Sequence, residues 1–285
     1  MHVLDDPLTL KESRLRQLIR GYRACIVAFS GGVDSALVAA LATAELGPDA
    51  LIVTGVSNSL ARRELRAARA FAAAIGARHE SMQTEELADE RYASNPANRC
   101  YFCKSELYGR IVELARERGF STIADGLNFD DLAEIRPGRR AAAENRVRSP
   151  LAEAEFSKAD VRALAQRLDL PVWDKPALAC LSSRFPTGTA ITSVLLERVE
   201  RAEDVLYDAG LTECRVRHHG ELARIEVPLD VFGRVLTQRD AVVRGMRAAG
   251  YRYVSLDLAG YVRGGVADTN AAAAASDLID LISRA

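Results

Sequence analysis

The sequence of 285 residues is poor in lysine, and its charges of opposite sign nearly cancel. Lysine occurs four times against 34 arginines, a bias that codon usage explains more simply than phosphate recognition does. The formal net charge of −1 argues against binding nucleic acid through bulk release of counterions. No uncharged apolar run approaches the roughly 20 residues of a membrane span, and the acidic N-terminus does not resemble a signal peptide. We therefore expect a cytoplasmic protein without nucleic-acid or membrane partners.

Cysteine is also scarce, and its odd count of five does not indicate a disulfide framework. Cys25 lies in an apolar run and is expected to be a buried small hydrophobic residue, and Cys214 precedes an alternating strand. Cys100, Cys103 and Cys180 lie in segments without helical or strand periodicity. For these three, a zinc knuckle without a clear fourth ligand and a redox pair formed by Cys100 and Cys103 are possible interpretations.

Short apolar runs alternate with amphipathic stretches in the first part of the chain. This alternation predicts an α/β fold with a doubly wound, mostly parallel sheet. Ligands of such sheets bind at the carboxyl ends of the strands. We expect strands at residues 25–30, 50–56, 77–82 and 122–125, and helices at residues 33–46, 60–75, 104–118 and 158–168.

The pattern changes near residue 175, where prolines and glycine interrupt any periodicity. We predict two domains, 1–175 and 176–285, of which the second is a smaller α+β domain. Its expected elements are a helix at 193–209, strands at 213–218 and 222–227, a helix through Met246 and a strand at 252–257. The alanine-rich tail from residue 270 is helix-prone and could serve packing or assembly, and we expect a homo-oligomer.

The segment Ser30-Gly31-Gly32-Val33-Asp34-Ser35 stands between a predicted buried strand and a predicted helix. Glycines permit a tight turn in which N–H groups and hydroxyls face one anion, and the helix N-terminus adds its positive end. No lysine follows the glycines, so the segment is not a Walker A loop. It predicts a phosphate site. Asp34 is either a Mg²⁺ ligand or a carboxylate that interacts with the helix dipole.

This segment resembles the PP-loop of the ATP pyrophosphatase superfamily, which cleaves ATP between the α- and β-phosphates. Asp125-Gly126-Leu127-Asn128, followed by Asp130-Asp131, resembles the superfamily's second nucleotide-facing segment, with Leu127 where threonine is usual. A turn with an aspartate helix cap is the alternative. The resemblance implies an ATP site that comprises Ser30, Gly31, Gly32, Val33, Asp34, Ser35, Ser57, Gly126 and Asp130.

Further segments narrow the resemblance to the LarE family, the ATP-dependent sulfur transferases of nickel-pincer nucleotide biosynthesis. They are NRCYFCK at 98–104, KPALACLSSR at 175–184 and RVRHHG at 215–220, together with GVSNSLARREL at 55–65 and RSPL at 148–151. The resemblance covers roughly residues 15–260. It implies a pyridinium mononucleotide with two carboxylates as substrate, each activated as an acyl-adenylate before sulfur displaces AMP. Arg184, Arg215 and Arg217 would bind its phosphate, although an arginine is more often a solvated charge.

The family supplies sulfur in two ways. In one branch a single cysteine, here Cys180, gives up its own sulfur. In the other, three cysteines bind a 4Fe–4S cluster that carries an exchangeable sulfide. Cys100, Cys103 and Cys180 match the three-cysteine branch, so the implied cofactors are ATP, Mg²⁺ and a 4Fe–4S cluster.

Three other function classes share individual features with this sequence. A tRNA thiolase of the same superfamily is the runner-up, but it predicts a basic RNA-binding module that the net charge of −1 does not provide. An amide-forming synthetase of the GMP or NAD synthetase type has no need of the three cysteines. A non-enzymatic nucleotide-binding module is disfavoured by the intact loop at residues 30–35 together with Cys180. The adjacent His218 and His219 point to opposite faces of a strand and are not expected to bind one metal.

Overall fold

The computed structural model describes residues 6–133, 136–176 and 179–261. Contacts divide the chain into a first unit, Met1–Tyr92 and Asn98–Leu178, and a second unit, Ala93–Ala97 and Ala179–Ala285. The excursion of residues 93–97 into the second unit was not expected from the sequence. The helix-prone tail lies outside the described residues. Within the described ranges no helix is both long and apolar enough to cross a membrane.

The first unit is built on a four-stranded parallel sheet. The strand order is β3-β2-β1-β4, and each neighbouring pair is parallel. The predicted α/β class is therefore confirmed. The strands are β1 (Cys25–Ala28), β2 (Ala50–Val56), β3 (His79–Gln83) and β4 (Thr122–Ala124).

Side chains alternate between the two faces along each strand, and apolar side chains of β1 lie on both faces. Helices therefore cover both faces of this sheet. Val27 of β1 packs in the core formed with the helices α1, α2 and α8, whereas its neighbour Ile26 packs with α5 and α6. The helices are α1 (Pro7–Gly21), α2 (Val33–Leu46), α3 (Arg62–Ala74), α4 (Glu90–Ala93), α5 (Arg99–Arg118), α6 (Pro137–Glu144), α7 (Pro150–Glu153) and α8 (Lys158–Arg167).

Helix α5 begins five residues earlier than the sequence pattern predicted. Its first turn contains Cys100, which is exposed, and Cys103, which is partly buried. A helix turn that packs only in part shows little apolar spacing, so the sequence pattern did not reveal that the segment of Cys100 and Cys103 is helical. Strand β3 likewise begins at His79, two residues later than expected.

The second unit contains a three-stranded sheet in the order β5-β6-β7, with β5 and β6 antiparallel and β6 and β7 parallel. Its core includes Leu206, Val216, Ile225 and Met246. The predicted α+β order is confirmed, except that the helix expected through Met246 is two helices, separated at Gln238. The elements are α9 (Ser193–Asp208), β5 (Arg215–His219), β6 (Leu222–Glu226), α10 (Phe232–Thr237), α11 (Arg239–Ala248) and β7 (Tyr253–Leu256).

Candidate functional site

The loop from β1 to α2 is closed on itself by two serine side chains. Ser35 Oγ accepts a hydrogen bond from the Ser30 backbone N–H at 3.2 Å and donates to the Gly32 carbonyl at 3.1 Å. Ser30 Oγ lies 3.1 Å from Ser35 Oγ. Gly31 has φ of 80°, a left-handed conformation that a residue with a Cβ adopts only with strain. The loop geometry therefore depends on the serines and on Gly31.

The N-terminus of α2 is open to an anion. Its N-cap residue, Gly32, offers no side-chain cap to the first backbone N–H groups of the helix. These groups and the helix dipole together favour negative charge at this end. Val33 is 3% exposed, so its side chain belongs to the core and anchors the loop. The arrangement suits a phosphate group.

The segment after β4 packs directly on this loop. A Cβ placed on Gly126 would lie 2.5 Å from the Ser35 backbone nitrogen and 2.7 Å from Ser35 Cα, so only glycine permits the approach. Asp125 is buried and accepts hydrogen bonds from Ser149 Oγ at 2.8 Å and from the Tyr108 hydroxyl at 3.1 Å. Asp125 thus fixes the turn that carries Gly126.

Asp34 faces a cation rather than open solvent. Its Oδ2 accepts a charged hydrogen bond from Lys158 Nζ, and its Oδ1 accepts from Asn128 Nδ2 at 3.1 Å. Asp130 accepts from the Lys158 backbone N–H at 2.8 Å, and so holds the first turn of α8 beside the loop. The predicted residues Asp34, Gly126 and Asp130 therefore lie around one loop. The hydrogen bond that Asp130 accepts comes from the protein backbone.

A second lysine reaches the loop from the end of the first unit. Lys175 Nζ donates to the Gly31 carbonyl at 3.3 Å and to Glu64 Oε2 at 2.8 Å. Sequence reasoning missed both Lys158 and Lys175. The sequence feature that could have identified them is the scarcity of lysine, since they are two of only four lysines in the chain.

Ser57 follows β2 at the same edge of the sheet and is held by a buried carboxylate. Its hydroxyl donates to Glu86 Oε1, which also accepts from Ser59 Oγ at 2.7 Å. Glu86 is 2% exposed, and its Oε2 has no hydrogen-bond partner among the described residues. Sequence reasoning missed Glu86. The sequence feature that could have identified Glu86 is its position just after β3, the strand that pairs with β2.

The five cysteines fall into two environments. Cys25 and Cys214 are buried, and burial raises the pKa of the Cys25 thiol to about 12, as expected for an inert core residue. Cys100 and Cys103 are three residues apart and share one face of α5. Cys180 is exposed and precedes a 3-10 turn, Leu181–Arg184, of the second unit. No group of three or more potential metal ligands was found among the described residues.

The three arginines predicted to bind phosphate are all buried in the second unit. Arg184 is 2% exposed and pairs with Glu203 Oε1 and Oε2 at 2.8 and 3.1 Å. Arg217 pairs with Glu226 at 2.8 Å. Arg215 donates to the Cys214 carbonyl at 2.7 Å and lies over the Tyr261 ring. None of the three is a solvated surface charge; their binding to a phosphate stays a prediction.

Arg184 also holds the backbone around Cys180. Its Nη1 donates to the carbonyl of Ala179 at 2.8 Å and to that of Cys180 at 2.9 Å. The neighbouring histidines behave as the strand pattern predicts: His218 is buried against Tyr251, whereas His219 is exposed. Their side chains lie on opposite faces of β5.

The chain is similar to known proteins over nearly its whole length. A family model described as asparagine synthase matches residues 9–95. A protein of Lactiplantibacillus plantarum named pyridinium-3,5-bisthiocarboxylic acid mononucleotide synthase is 37% identical over 92% of this chain and 95% of its own length. An uncharacterised protein of Synechocystis sp. is 47% identical over 90% of this chain and 97% of its length. An uncharacterised protein of Methanocaldococcus jannaschii is 27% identical over 82% of this chain.

Proposed function

Because this chain belongs to the LarE family of ATP-dependent sulfur transferases, we propose that it thiolates pyridinium-3,5-biscarboxylic acid mononucleotide in nickel-pincer nucleotide biosynthesis. In the proposed reaction both carboxylates become thiocarboxylates. The observation that carries the proposal is the 37% identity, over 92% of the chain, to a synthase named for the bisthiocarboxylic product. The nucleotide loop at residues 30–35 and the exposed Cys180 agree with it.

The first half of the proposed reaction is adenylation. A substrate carboxylate oxygen attacks the α-phosphorus of ATP, the bond from that phosphorus to the bridging oxygen breaks, and pyrophosphate leaves with the bonding electrons. The open N–H groups of α2 and its dipole would stabilise charge on the leaving pyrophosphate. Asp34 is the carboxylate that would hold Mg²⁺, which when bound neutralises phosphate charge.

The second half replaces AMP by sulfur. A carboxylate oxygen is a poor leaving group and AMP is a good one, so adenylation must precede thiolation. A thiolate is a strong nucleophile, and Cys180 is exposed in a segment whose backbone Arg184 holds. Arg215 and Arg217 would bind the mononucleotide phosphate from the second unit, where Arg217 and Arg184 both donate hydrogen bonds to Ser183.

The group that supplies the sulfur atom is a separate part of the proposal. Cys100, Cys103 and Cys180 are soft thiolate ligands, and two of them share a helix face while the third is exposed, which fits an iron–sulfur centre in its donor chemistry. When bound by these three residues, a 4Fe–4S cluster supplies an exchangeable sulfide. The alternative is that the Cys180 thiolate displaces AMP to form a thioester, and that elimination of the Cα proton then breaks the Cβ–Sγ bond, which leaves the thiocarboxylate on the substrate and dehydroalanine at position 180. Assembly as a homo-oligomer also stays a prediction.

Pyrophosphate release tests the proposed function and its alternatives together. Purified protein with Mg·ATP is given the pyridinium mononucleotide, tRNA, or neither, and pyrophosphate and thiolated product are measured. We expect release that depends on the mononucleotide and produces a thiocarboxylate. Asp34→Ala combined with Ser35→Ala should abolish it. Release that depends on tRNA instead, with tight and salt-sensitive tRNA binding, would identify the protein as a tRNA thiolase.

A further inference from the structure

We propose that Lys158 and Lys175 are the two cations that hold the phosphate chain of ATP on the loop at residues 30–35, an assignment that rests on the proposed function. A P-loop of the Walker type carries its phosphate-binding lysine directly after the glycines, and this loop does not. Backbone N–H groups and a helix dipole supply only partial charges. Mg²⁺ would neutralise part of the charge of a bound triphosphate, and full positive charges from elsewhere in the chain would neutralise more of it.

Lys158 supplies the first charge from the start of α8. Its ammonium group is paired with Asp34, the second residue of α2, and its backbone is fixed by Asp130. The Ser157 capping box holds the same helix turn, so the side chain starts from a rigid base. Lys158 and Asp34 are 28% and 22% exposed, so a ligand can reach the pair.

Lys175 supplies the second charge from a different direction. Its ammonium group touches the Gly31 carbonyl in the loop and pairs with Glu64 on α3. This pair is 20% and 18% exposed. Both lysines thus contact the loop itself, through Asp34 in one case and through the backbone in the other.

The residue type supports the assignment. The chain uses arginine 34 times and lysine four times, yet both of these loop contacts are made by lysine. An ammonium group is a compact point charge with three donors on a flexible stem, and it can exchange one anionic partner for another with little rearrangement. In the proposed exchange, Lys158 and Lys175 donate to Asp34 and Glu64 without nucleotide and turn to phosphate oxygens when ATP binds.

The test is the affinity of each variant for ATP and for AMP, measured by calorimetry in the presence of Mg²⁺. Lys158→Met and Lys175→Met should each weaken ATP binding by about 10- to 100-fold, as expected for the loss of a charged hydrogen bond. Binding of AMP, which lacks the β- and γ-phosphates, should change far less. Retained AMP binding also shows that a variant is folded; any variant that loses it is replaced by Lys158→Gln or Lys175→Gln.

Two matched controls separate phosphate binding from a structural role. Lys11→Met removes an ammonium group with a similar ion pair, to Asp160 at 2.7 Å, whose hydrogen bonds go to Asp160 and the Glu155 carbonyl and not to the loop. Glu64→Gln breaks the ion pair of Lys175 and leaves the lysine in place. Lys11→Met should bind ATP like the unmodified protein, and Glu64→Gln should bind it at least as tightly, because that variant removes the carboxylate that competes with phosphate for Lys175. The inference would be overturned if Glu64→Gln lost as much ATP affinity as Lys175→Met, or if neither lysine variant lost ATP affinity. Either result would leave the proposed function standing. Failure of the unmodified protein to bind ATP would overturn the proposed function with it.

Discussion

At the scale of single residues, the environment of Cys180 is set by one buried guanidinium. Arg184 joins Glu203 to the carbonyls of Ala179 and Cys180, so it restrains the backbone next to the thiol. Removing one partner of a buried ion pair typically costs about 3–5 kcal/mol, because the other charge stays buried without compensation. Arg184 is thus a structural residue of the second unit, whether or not it also contacts the mononucleotide.

The cysteines themselves decide between the two sulfur sources. Cys180→Ala should lose sulfur transfer but keep adenylation, because the nucleotide loop belongs to the first unit. With a cluster, anaerobic reconstitution should give about four irons per chain, and Cys100→Ala should lose both iron and turnover. Iron content, thiolated product and pyrophosphate are measured on the same samples, with Cys214→Ala as the control for removing a buried thiol.

Two results would change this interpretation. If Cys100→Ala keeps sulfur transfer and Cys180 becomes dehydroalanine after one round, as mass spectrometry would detect, the sacrificial route is correct and the cluster assignment is wrong. If Cys180→Ala still transfers sulfur, both assignments of the sulfur source fail.

At the scale of elements, the nucleotide loop depends on the contact between the start of α2 and the turn after β4. The contact is between backbones, at Gly126 and Ser35, and neither can yield as a flexible side chain would. The Asn128–Asp34 hydrogen bond and the buried Asp125 lock the two segments in this arrangement. The loop is therefore shaped as much by a segment 94 residues away, at the Asn128–Asp34 hydrogen bond, as by its own glycines.

Gly126→Ala tests this contact. A methyl group 2.5 Å from the Ser35 nitrogen must push the loop aside, so we expect ATP affinity to fall by at least about 10-fold. Gly109→Ala is the matched control, because a Cβ there meets nothing within 4 Å and an alanine in α5 should stabilise the helix by about 0.5–1 kcal/mol. Equal ATP affinities of the two variants, measured by calorimetry, would show that the contact is not needed.

At the scale of the whole molecule, each unit contains a histidine whose pKa is lowered. Burial lowers the pKa of His79, which bonds to Thr54 Oγ1 at 2.9 Å in the first unit. In the second unit, burial, with a smaller contribution from Arg198, lowers the pKa of His218. Below the unfolded value of about 6.5, the unfolded chain then binds more protons than the folded chain. Stability is therefore fully present above this pH and is lost as the pH falls towards the folded values.

Urea unfolding measures this loss. The free energy of unfolding should decrease from about pH 7.5 to about pH 5.5, before most carboxylates begin to titrate. Replacing both histidines, as His79→Gln with His218→Gln, should reduce the dependence in that window and leave the part due to His219, whose pKa burial also lowers. An unchanged slope in the double variant would assign the pH dependence to other groups.

The sequence by itself was sufficient for the α/β class of the first part, the α+β order of the second, and the strand-to-helix turn at residues 30–35. These properties are local: apolar spacing reports whether a segment is strand or helix, and the turn at residues 30–35 needs its own glycines and serines. The start of α5 was missed for the same reason, because a first turn that packs only in part carries little apolar signal.

Only the tertiary structure decided which distant side chains meet at that loop. Lys158 is 124 residues from Asp34, and Lys175 is 144 residues from Gly31. Spacing within a segment cannot encode such pairs, because they follow from strand order and from how helices pack on the sheet. The burial of Arg184 against Glu203 was likewise decided by the tertiary structure. The sequence does not distinguish an arginine that faces solvent from one that pairs with a buried carboxylate.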